Sequence, residues 1–171
     1  METWDAICSR RNVRVYEDGS LSTEELDRIV EAGWRSPSAQ NLQRWDFVVC
    51  TDRAQLHMLS GIWRGAGHLA GAAAAIVMVA PVTDEPRIRQ LIEYDLGQAT
   101  MAMMLAAVDL GVGSGHSSVG DQGAARRILG VPEDRFCAYM LGLGRPADRP
   151  LRPIRRPDRR PFDEVVHRGG W

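Results

Sequence analysis

The spacing of apolar residues predicts an amphipathic helix in the first third of the chain. Between Leu26 and Trp34, apolar residues recur at intervals of three and four, which places them on one helical face. A capping box precedes them, because Ser22 and Glu25 stand at the first and fourth positions of Ser-Thr-Glu-Glu. Pro37 ends the pattern, since the residue before a proline avoids the helical conformation.

The rest of the chain alternates helical and strand patterns. Pro86 suits the start of a long helix, and Pro81 stops the apolar run before it. The further predicted helices cover residues 2–9, 53–60, 86–110 and 121–129, and the predicted strands cover 45–50, 74–80 and 136–143. Because the elements interleave without a repeat or a linker, we expect one domain over residues 1–171, an α+β or α/β arrangement of helices around one sheet.

Composition restricts the class of protein. Of the 171 residues, 44% are hydrophobic, which suffices for one folded core. The net charge of −1 provides no overall field that would attract nucleic acid or a membrane surface. The apolar run at 69–81 is shorter than the about 20 residues of a membrane helix, and no signal peptide is visible. We therefore expect a cytoplasmic protein without nucleic-acid or membrane partners.

The residues of common catalytic and metal sites are not arranged for those functions. Cys8, Cys50 and Cys137 are scattered and form no CxxC pair, so neither a disulfide framework nor a zinc site is indicated. The four histidines lack zinc spacing, and no nucleophile elbow or Walker pattern occurs. The sequence thus predicts no metal and no dedicated catalytic side chain.

Two short segments carry the candidate chemistry. Arg10-Arg11-Asn12-Val13-Arg14 places three guanidiniums close together, and a guanidinium binds phosphate through a planar fork of donors. Residues 36–45 form a run of small polar residues that leads into a predicted strand, which suits a ligand lying against the backbone. The alternative is a solvated basic patch beside an ordinary loop, because all 21 basic residues are Arg and many must be surface residues.

Together these segments resemble the motifs of the nitroreductase family of FMN-dependent oxidoreductases. That family opens with an Arg-Arg-Ser-Val-Arg-like motif and continues with Pro-Ser-x-x-Asn-x-Gln-Pro-Trp. Asn12 departs from the usual Ser or Thr, and Arg44 stands where Pro is usual. The matching residues are Arg10, Arg11, Val13 and Arg14, then Pro37, Ser38, Asn41, Gln43 and Trp45.

The resemblance implies a fold, cofactors and ligands. The fold is α+β, with a mostly antiparallel central sheet flanked by helices and a domain completed by dimerisation. The cofactor is FMN, and NADH or NADPH is the electron donor. Arg10, Arg11 and Asn12 would bind the phosphate, ribityl chain and pyrimidine. Arg14 would stabilise the reduced ring edge. The loop residues expected at the cofactor are Pro37, Ser38, Ala39 and Asn41.

Residues 111–120 are rich in glycine but do not form a dinucleotide-binding motif. Gly-x-Gly-x-x-Gly fails in both registers, because His116 or Ser118 occupies the sixth position. Glycine still allows close approach of a planar ligand to the backbone. The resemblance places the flavin ring against this segment, and His116 either binds substrate or fills space. The residues expected to contact the ring are Ser117, Ser118, Val119 and Gly120.

From about residue 145 the chain is rich in Pro and Arg. A basic tail that binds nucleic acid is one interpretation, but no aromatic residues alternate with the arginines. An extended arm on the protein surface is the other interpretation. The resemblance continues through residues 159–167 and implies that Arg159, or else Arg160, contacts the flavin phosphate. The resemblance is weakest at residues 57–70, where Arg64 is a candidate for a contact with the flavin.

Small residues on the long predicted helix suggest a second role for it. Gly97, Ala99, Ala102 and Ala106 suit either a buried core or close approach of another helix. In the resembling family the corresponding helix lies at the centre of the dimer interface, and both chains contact each flavin. The resemblance therefore implies a homodimer with FMN between the subunits.

Three functions follow from these observations. The first is an oxidoreductase that passes a hydride from NAD(P)H through flavin N5 to a small acceptor, such as a nitroaromatic or a quinone, in a ping-pong scheme. The second is a relative that fragments flavin or removes a halogen. The third is a flavin-binding protein without enzymatic activity.

Overall fold

Four β-strands form one antiparallel sheet in this computed structural model, which describes residues 1–171. The order across the sheet is β1-β2-β4-β3, so β3 lies at an edge. The strands are β1 (Asp46–Cys50), β2 (Ala74–Pro81), β3 (Gly113–Ser118) and β4 (Arg135–Gly144). The two central strands are paired on both sides, so β1 and β3 are the edge strands of the sheet.

Six helices surround the sheet, and their ends follow local rules of the sequence. Ser22 Oγ accepts a hydrogen bond from Glu25 N while the Glu25 carboxylate accepts one from Ser22 N, so the predicted capping box is present. Gly130 ends the fifth helix at a positive φ of 68°. The helices are α1 (Thr3–Ser9), α2 (Thr23–Trp34), α3 (Arg53–Ser60), α4 (Pro86–Asp109), α5 (Gln122–Leu129) and α6 (Phe162–Val165).

Both faces of the sheet are covered, because β2 is buried along nearly its whole length. Ile76 and Met78 point to one face, where they pack with α2 and α4. Ala75 and Val77 point to the other, where they pack with α3, α5 and a 3₁₀ turn at Gly67–Gly71. The long central strand therefore carries a continuous apolar sequence instead of an alternating one.

The fold class expected from the sequence, an α+β domain with an antiparallel sheet, is confirmed, and the predicted helices and strands all occur within two residues of their expected ends. One strand was not predicted. Residues 113–118 read Gly-Ser-Gly-His-Ser-Ser, which has low β-propensity, and β4 holds them in the sheet through six paired positions. The 3₁₀ turns and α6 were not predicted either.

The segment after β4 returns along the N-terminal part of the chain. Ala147 N donates to Val15 O at 3.1 Å, and Ile154 N donates to Cys8 O at 3.0 Å. Arg11 forms an ion pair with Asp148 beside these contacts. Beyond this point the only regular element is α6. No helix in the structure combines the length and the apolar character that crossing a membrane requires.

Candidate functional site

The arginine-rich segment lies along the free edge of β3. Val13 N donates to Ser114 O at 2.8 Å, and Asn12 stands opposite Ser114 as in a parallel strand pair. Val13 is fully buried, whereas Asn12 and Arg14 on either side of it are exposed. Because side chains alternate along an extended segment, burial of Val13 directs Asn12 and Arg14 away from the core.

Four glycines on one face of the sheet receive this segment. Gly113 pairs with Gly144 and Gly115 pairs with Gly142, so all four lie on the same face of β3 and β4. A Cβ on Gly113 would lie 2.7 Å from Val13 Cγ2, and one on Gly115 would overlap the Val13 carbonyl oxygen. The sequence predicted that the glycines of residues 111–120 allow close approach of a planar ligand; in the structure Gly113 and Gly115 leave room for the chain's own segment.

Arg14 is held by three uncharged acceptors. Its Nη1 donates to Gly65 O at 2.9 Å and lies 2.9 Å from His68 Nδ1, while Nη2 donates to His116 O at 3.2 Å. No carboxylate pairs with Arg14, so its positive charge is not neutralised within the chain. The guanidinium is therefore fixed in place and remains available to an anion.

Arg10 and His116 line a cavity of about 430 Å³ between β3, β4 and α4. Arg10 makes neither an ion pair nor a side-chain hydrogen bond in the chain. Burial lowers the pKa of His116 below its ordinary 6.5, and the nearby charges of Arg14 and Arg10 lower it further. These surroundings therefore favour the uncharged form of His116. The other lining residues are Glu93, Gly97, Thr100, Met101, Met104 and Tyr139.

Arg11 differs from its two neighbours in the motif. Its guanidinium forms an ion pair with Asp148 at 3.1 Å and also donates to Arg149 O. The same ion pair lowers the pKa of the Asp148 carboxyl below its usual range. The side chain is 10% exposed, so Arg11 is directed into the contact with the C-terminal arm. A role for Arg11 at phosphate stays a prediction.

The second candidate segment forms an irregular turn on α4. Ala39 N donates to both carboxylate oxygens of Asp95, at 3.0 and 3.2 Å, and Asp95 is only 3% exposed. Ser38 Oγ accepts from Gln43 N at 3.0 Å and closes the turn. The turn contains the three non-glycine residues with positive φ in the chain, namely Gln40 at 55°, Asn41 at 55° and Gln43 at 48°. Such backbone persists where surrounding contacts determine it, and it is common at ligand sites.

The arginine segment and the turn lie on opposite sides of one exposed face of α4. The cavity beside Arg10 and a groove of about 650 Å³ beside Pro37 share Glu93, Gly97 and Met101. Met101 is 45% exposed and the adjacent Tyr94 is 70% exposed. A single chain therefore does not bring the two segments into contact, because the α4 face separates them.

The remaining predicted residues lie outside these two segments, at the end of β3 and in the C-terminal arm. Ser117 is buried and Ser118 is exposed at the end of β3, and a Cβ on Gly120 would collide with the Trp63 ring. Arg159 donates to Asp158 O at 2.6 Å, and Arg160 pairs with Glu164 at 3.7 Å. Neither of them contacts Arg10 or Arg14. Their predicted contact with a phosphate stays a prediction, as does that of residues 117–120 with a ring.

The residues that hold the predicted site residues in place belong to neither sequence motif. His68 and Gly65 hold Arg14, although they come from the stretch with the weakest family resemblance. Asp95 holds the turn through Ala39, although it reads as one charged residue of a long helix. One sign in the sequence pointed to a buried role for Asp95, because it stands between apolar neighbours on α4. A carboxylate without a partner is rare among apolar residues.

Comparisons with known proteins identify the family of the chain. The model of the nitroreductase family matches residues 7–64 and 53–145. A protein of Archaeoglobus fulgidus, named as a candidate NADH dehydrogenase/NAD(P)H nitroreductase, is 33% identical over 169 residues, which is 96% of each chain.

Two solved structures share the fold. The first is an FMN-dependent nitroreductase from Clostridium difficile, with a TM-score of 0.86 and 24% identity, covering 98% of this chain and 99% of that one. The second is the NADPH:FMN oxidoreductase of Vibrio harveyi in complex with NAD+, with a TM-score of 0.86 and 21% identity. It covers 99% of this chain and 77% of that one.

Proposed function

The chain belongs to the nitroreductase family, and from this premise we propose that it is an FMN-dependent NAD(P)H oxidoreductase. The observation that carries the proposal is the pair Arg10 and Arg14. Both are free of carboxylate partners, and both lie at the edge strand that borders the 430 Å³ cavity. A phosphorylated ligand with a polar ring matches such a pair of unneutralised cations.

The donor set of the site fits FMN. Arg10 and Asn12 have no side-chain partner in the chain, so their donors are available to a phosphate and a sugar-like chain. Arg14 offers a cation fixed by neutral acceptors. Glycines beneath the segment let it lie directly against the sheet. These residues would hold the cofactor, with Arg10 and Asn12 at the phosphate and ribityl chain and Arg14 at the pyrimidine edge.

FMN held by these residues would supply the redox chemistry, which is hydride transfer through N5. Arg14 would stabilise negative charge at the edge of a reduced flavin, because its guanidinium is held in place and no carboxylate neutralises it. Burial and the charges of Arg14 and Arg10 lower the pKa of His116, which disfavours a further cation in the wall of the cavity. No side chain of the chain is required to exchange a proton or form a covalent bond.

We propose a homodimer in which α4 packs against its counterpart. The exposed face of α4 carries Gly97 and Met101, and no atom lies within 4 Å of a Cβ built on Gly97, so another helix can approach closely. The turn at 37–41 then reaches the partner's Arg10 and Arg14 across this face. In this arrangement each site takes Arg10, Asn12 and Arg14 from one chain, and from the other it takes Pro37, Ser38, Ala39 and Asn41.

The electron acceptor is a small planar molecule, such as a nitroaromatic or a quinone. The cavity beside His116 is open and lined by Met101, Met104 and Tyr139, which favours flat, partly apolar compounds. Donor and acceptor would use the same face in turn. This ping-pong scheme needs no second substrate pocket.

A spectroscopic titration tests the proposal. Purified protein is titrated with FMN and then exposed to NADH or NADPH without oxygen, while the visible flavin bands are recorded. We expect binding of FMN and bleaching of its bands by at least one nicotinamide. Failure to bind FMN would exclude the cofactor site, and binding without bleaching would favour a flavin-binding protein or a relative with other flavin chemistry.

A variant of Arg10 tests the role of the cation pair. We expect Arg10→Gln to weaken FMN binding by about tenfold or more, because a hydrogen bond to a charged group contributes about 1.5–3 kcal/mol. Arg127→Gln is the matched control, since Arg127 is exposed on α5 and makes no ion pair. Equal FMN affinity in the two variants would contradict the assignment of Arg10.

A further inference from the structure

His68 contacts Arg14 through a hydrogen bond whose direction is fixed by the chemistry of both partners. Nδ1 of His68 lies 2.9 Å from Arg14 Nη1, and a guanidinium only donates, so Nδ1 must accept and carry no proton. Nε2 lies 2.9 Å from Gly115 O, and a carbonyl only accepts, so Nε2 must carry the proton. The two contacts together require a neutral imidazole in one tautomer.

The glycine pair of β3 and β4 makes room for this imidazole. A Cβ on Gly115 would lie 3.3 Å from His68 Nε2, and a Cβ on Gly142 would lie 3.2 Å from the same atom. Both distances are tighter than ordinary packing, so larger residues would displace the ring. The Tyr16 ring lies 6.4 Å from the His68 ring, and the single hydroxyl proton of Tyr16 is shared between Val13 O at 2.9 Å and Gly142 O at 3.1 Å. His68 is thus fixed from the sheet, from Arg14 and from segment 13–16.

The titratable and charged groups that face His68 are Arg14 and Tyr16 from the N-terminal segment and His116 from β3. None of them is acidic. Burial lowers the pKa of His68 below its ordinary 6.5, and the nearby Arg14 and His116 lower it further, whereas the backbone carbonyls of Gly115 and Gly65 oppose this shift. Protonation would place a second cation against Arg14 and turn the accepting Nδ1 into a donor.

We propose that His68 is a positioning residue whose neutral Nδ1 directs the Arg14 guanidinium toward the cofactor and whose protonation releases it. The inference rests on the proposed function, in which Arg14 contacts FMN. It adds a pH-sensitive control of that contact by a residue outside both sequence motifs. Above the pKa of His68 the bond is intact, and as the pH falls through that value the bond is lost.

Two variants distinguish the loss of the hydrogen-bond acceptor at residue 68 from the loss of its titrating group. His68→Asn offers an oxygen near the position of Nδ1 and does not titrate, whereas His68→Leu offers no acceptor. The dissociation constant for FMN is measured by quenching of flavin fluorescence between about pH 5.5 and about pH 8. At the upper pH we expect His68→Asn to bind FMN within about threefold of the wild type and His68→Leu to bind about tenfold more weakly.

The pH dependence gives the decisive comparison. The FMN phosphate itself titrates near about pH 6, but it does so equally in every variant, so the ratio of wild-type to His68→Asn affinity removes its effect. We expect that ratio to fall as the pH is lowered. His57→Asn is the matched control, because His57 is exposed on α3 and its ring has no partner; it should follow the wild type. A ratio that stays constant with pH would overturn the proposal.

A second readout does not depend on the cofactor. The imidazole ¹⁵N chemical shifts of His68 in the protein alone report which nitrogen carries the proton. We expect an unprotonated Nδ1 and a protonated Nε2 at neutral pH; the opposite tautomer, or an imidazolium, would overturn the proposal. A wild-type protein that binds no FMN would contradict the proposed function instead, while this measurement would still decide the bond to Arg14. If His68→Leu does not fold, His68→Asn and the chemical shifts suffice.

Discussion

The glycines beneath segment 13–16 determine how closely the arginine motif approaches the sheet. Gly115 has no atom to collide with the Val13 carbonyl, and Gly144 leaves room for the Tyr16 ring at 2.8 Å from the position of a Cβ. The approach lets Arg14 reach acceptors on two other segments, Gly65 and His116. At the scale of residues, the position of the Arg14 guanidinium depends on the absence of side chains at these glycines.

A methyl group at Gly115 tests this dependence. We expect Gly115→Ala to reduce the free energy of unfolding by about 1–3 kcal/mol, because the new Cβ meets rigid backbone and the segment must move. Gly71→Ala is the control, since a Cβ there meets no atom within 4 Å. Chemical denaturation followed by circular dichroism measures both variants. Equal free energies of unfolding of the two variants would show that segment 13–16 can move without a loss of stability.

At the scale of elements, α4 supports both halves of the candidate site. Its buried side packs against β2, while its Asp95 carboxylate holds Ala39 N and so fixes the turn with positive φ values. Its exposed side lies between that turn and the cavity beside Arg10. One helix thus determines the distance between the two motifs along the protein surface.

Replacement of Asp95 tests the support of the turn. In Asp95→Asn the amide retains one oxygen but adds a buried NH₂ group that lacks an acceptor, so we expect the free energy of unfolding to fall by about 1–3 kcal/mol. Glu93→Gln is the control on the same helix, because Glu93 is exposed and its pair with Arg89 contributes about 1 kcal/mol or less. Thermal and urea unfolding measure the difference. A loss in Asp95→Asn no larger than in Glu93→Gln would contradict the role of Asp95.

At the scale of the whole molecule, a single chain keeps the two predicted motifs apart. The residues that match the two family motifs lie on either side of the α4 face, and apolar groups such as Tyr94 and Met101 are exposed between them. Association of two chains through this face would cover the apolar groups and join the two motifs. Cofactor binding and assembly are therefore expected to be coupled.

A charge on the α4 face tests this coupling. If the proposed homodimer forms, we expect Met101→Glu to convert it to a monomer and to reduce FMN affinity by about tenfold or more, because a carboxylate in an apolar interface must be desolvated. Met58→Glu is the control, since Met58 is 51% exposed on α3, away from α4. Light scattering after size-exclusion chromatography measures the mass. A monomeric wild type that binds FMN as tightly as the variant would refute the proposed arrangement.

The sequence by itself determined the features that depend on neighbouring residues. The capping box at Ser22 and the start of α4 at Pro86 follow from contacts within one helical turn, so short patterns predicted them correctly. The paired motifs also determined the family, because the residue types that a ligand requires recur at a recognisable spacing. Fold class and family were therefore accessible before any coordinates.

Only the tertiary structure decided how the arginines differ. Arg10, Arg11 and Arg14 are alike in sequence, but Arg11 meets Asp148 from 137 positions away and Arg14 meets His68 from 54 positions away. The strand at Gly113–Ser118 likewise exists because β4 pairs with it and not because its residues favour a strand. Such contacts join distant parts of the chain, so their energies are set by packing of the folded molecule and leave no local pattern in the sequence.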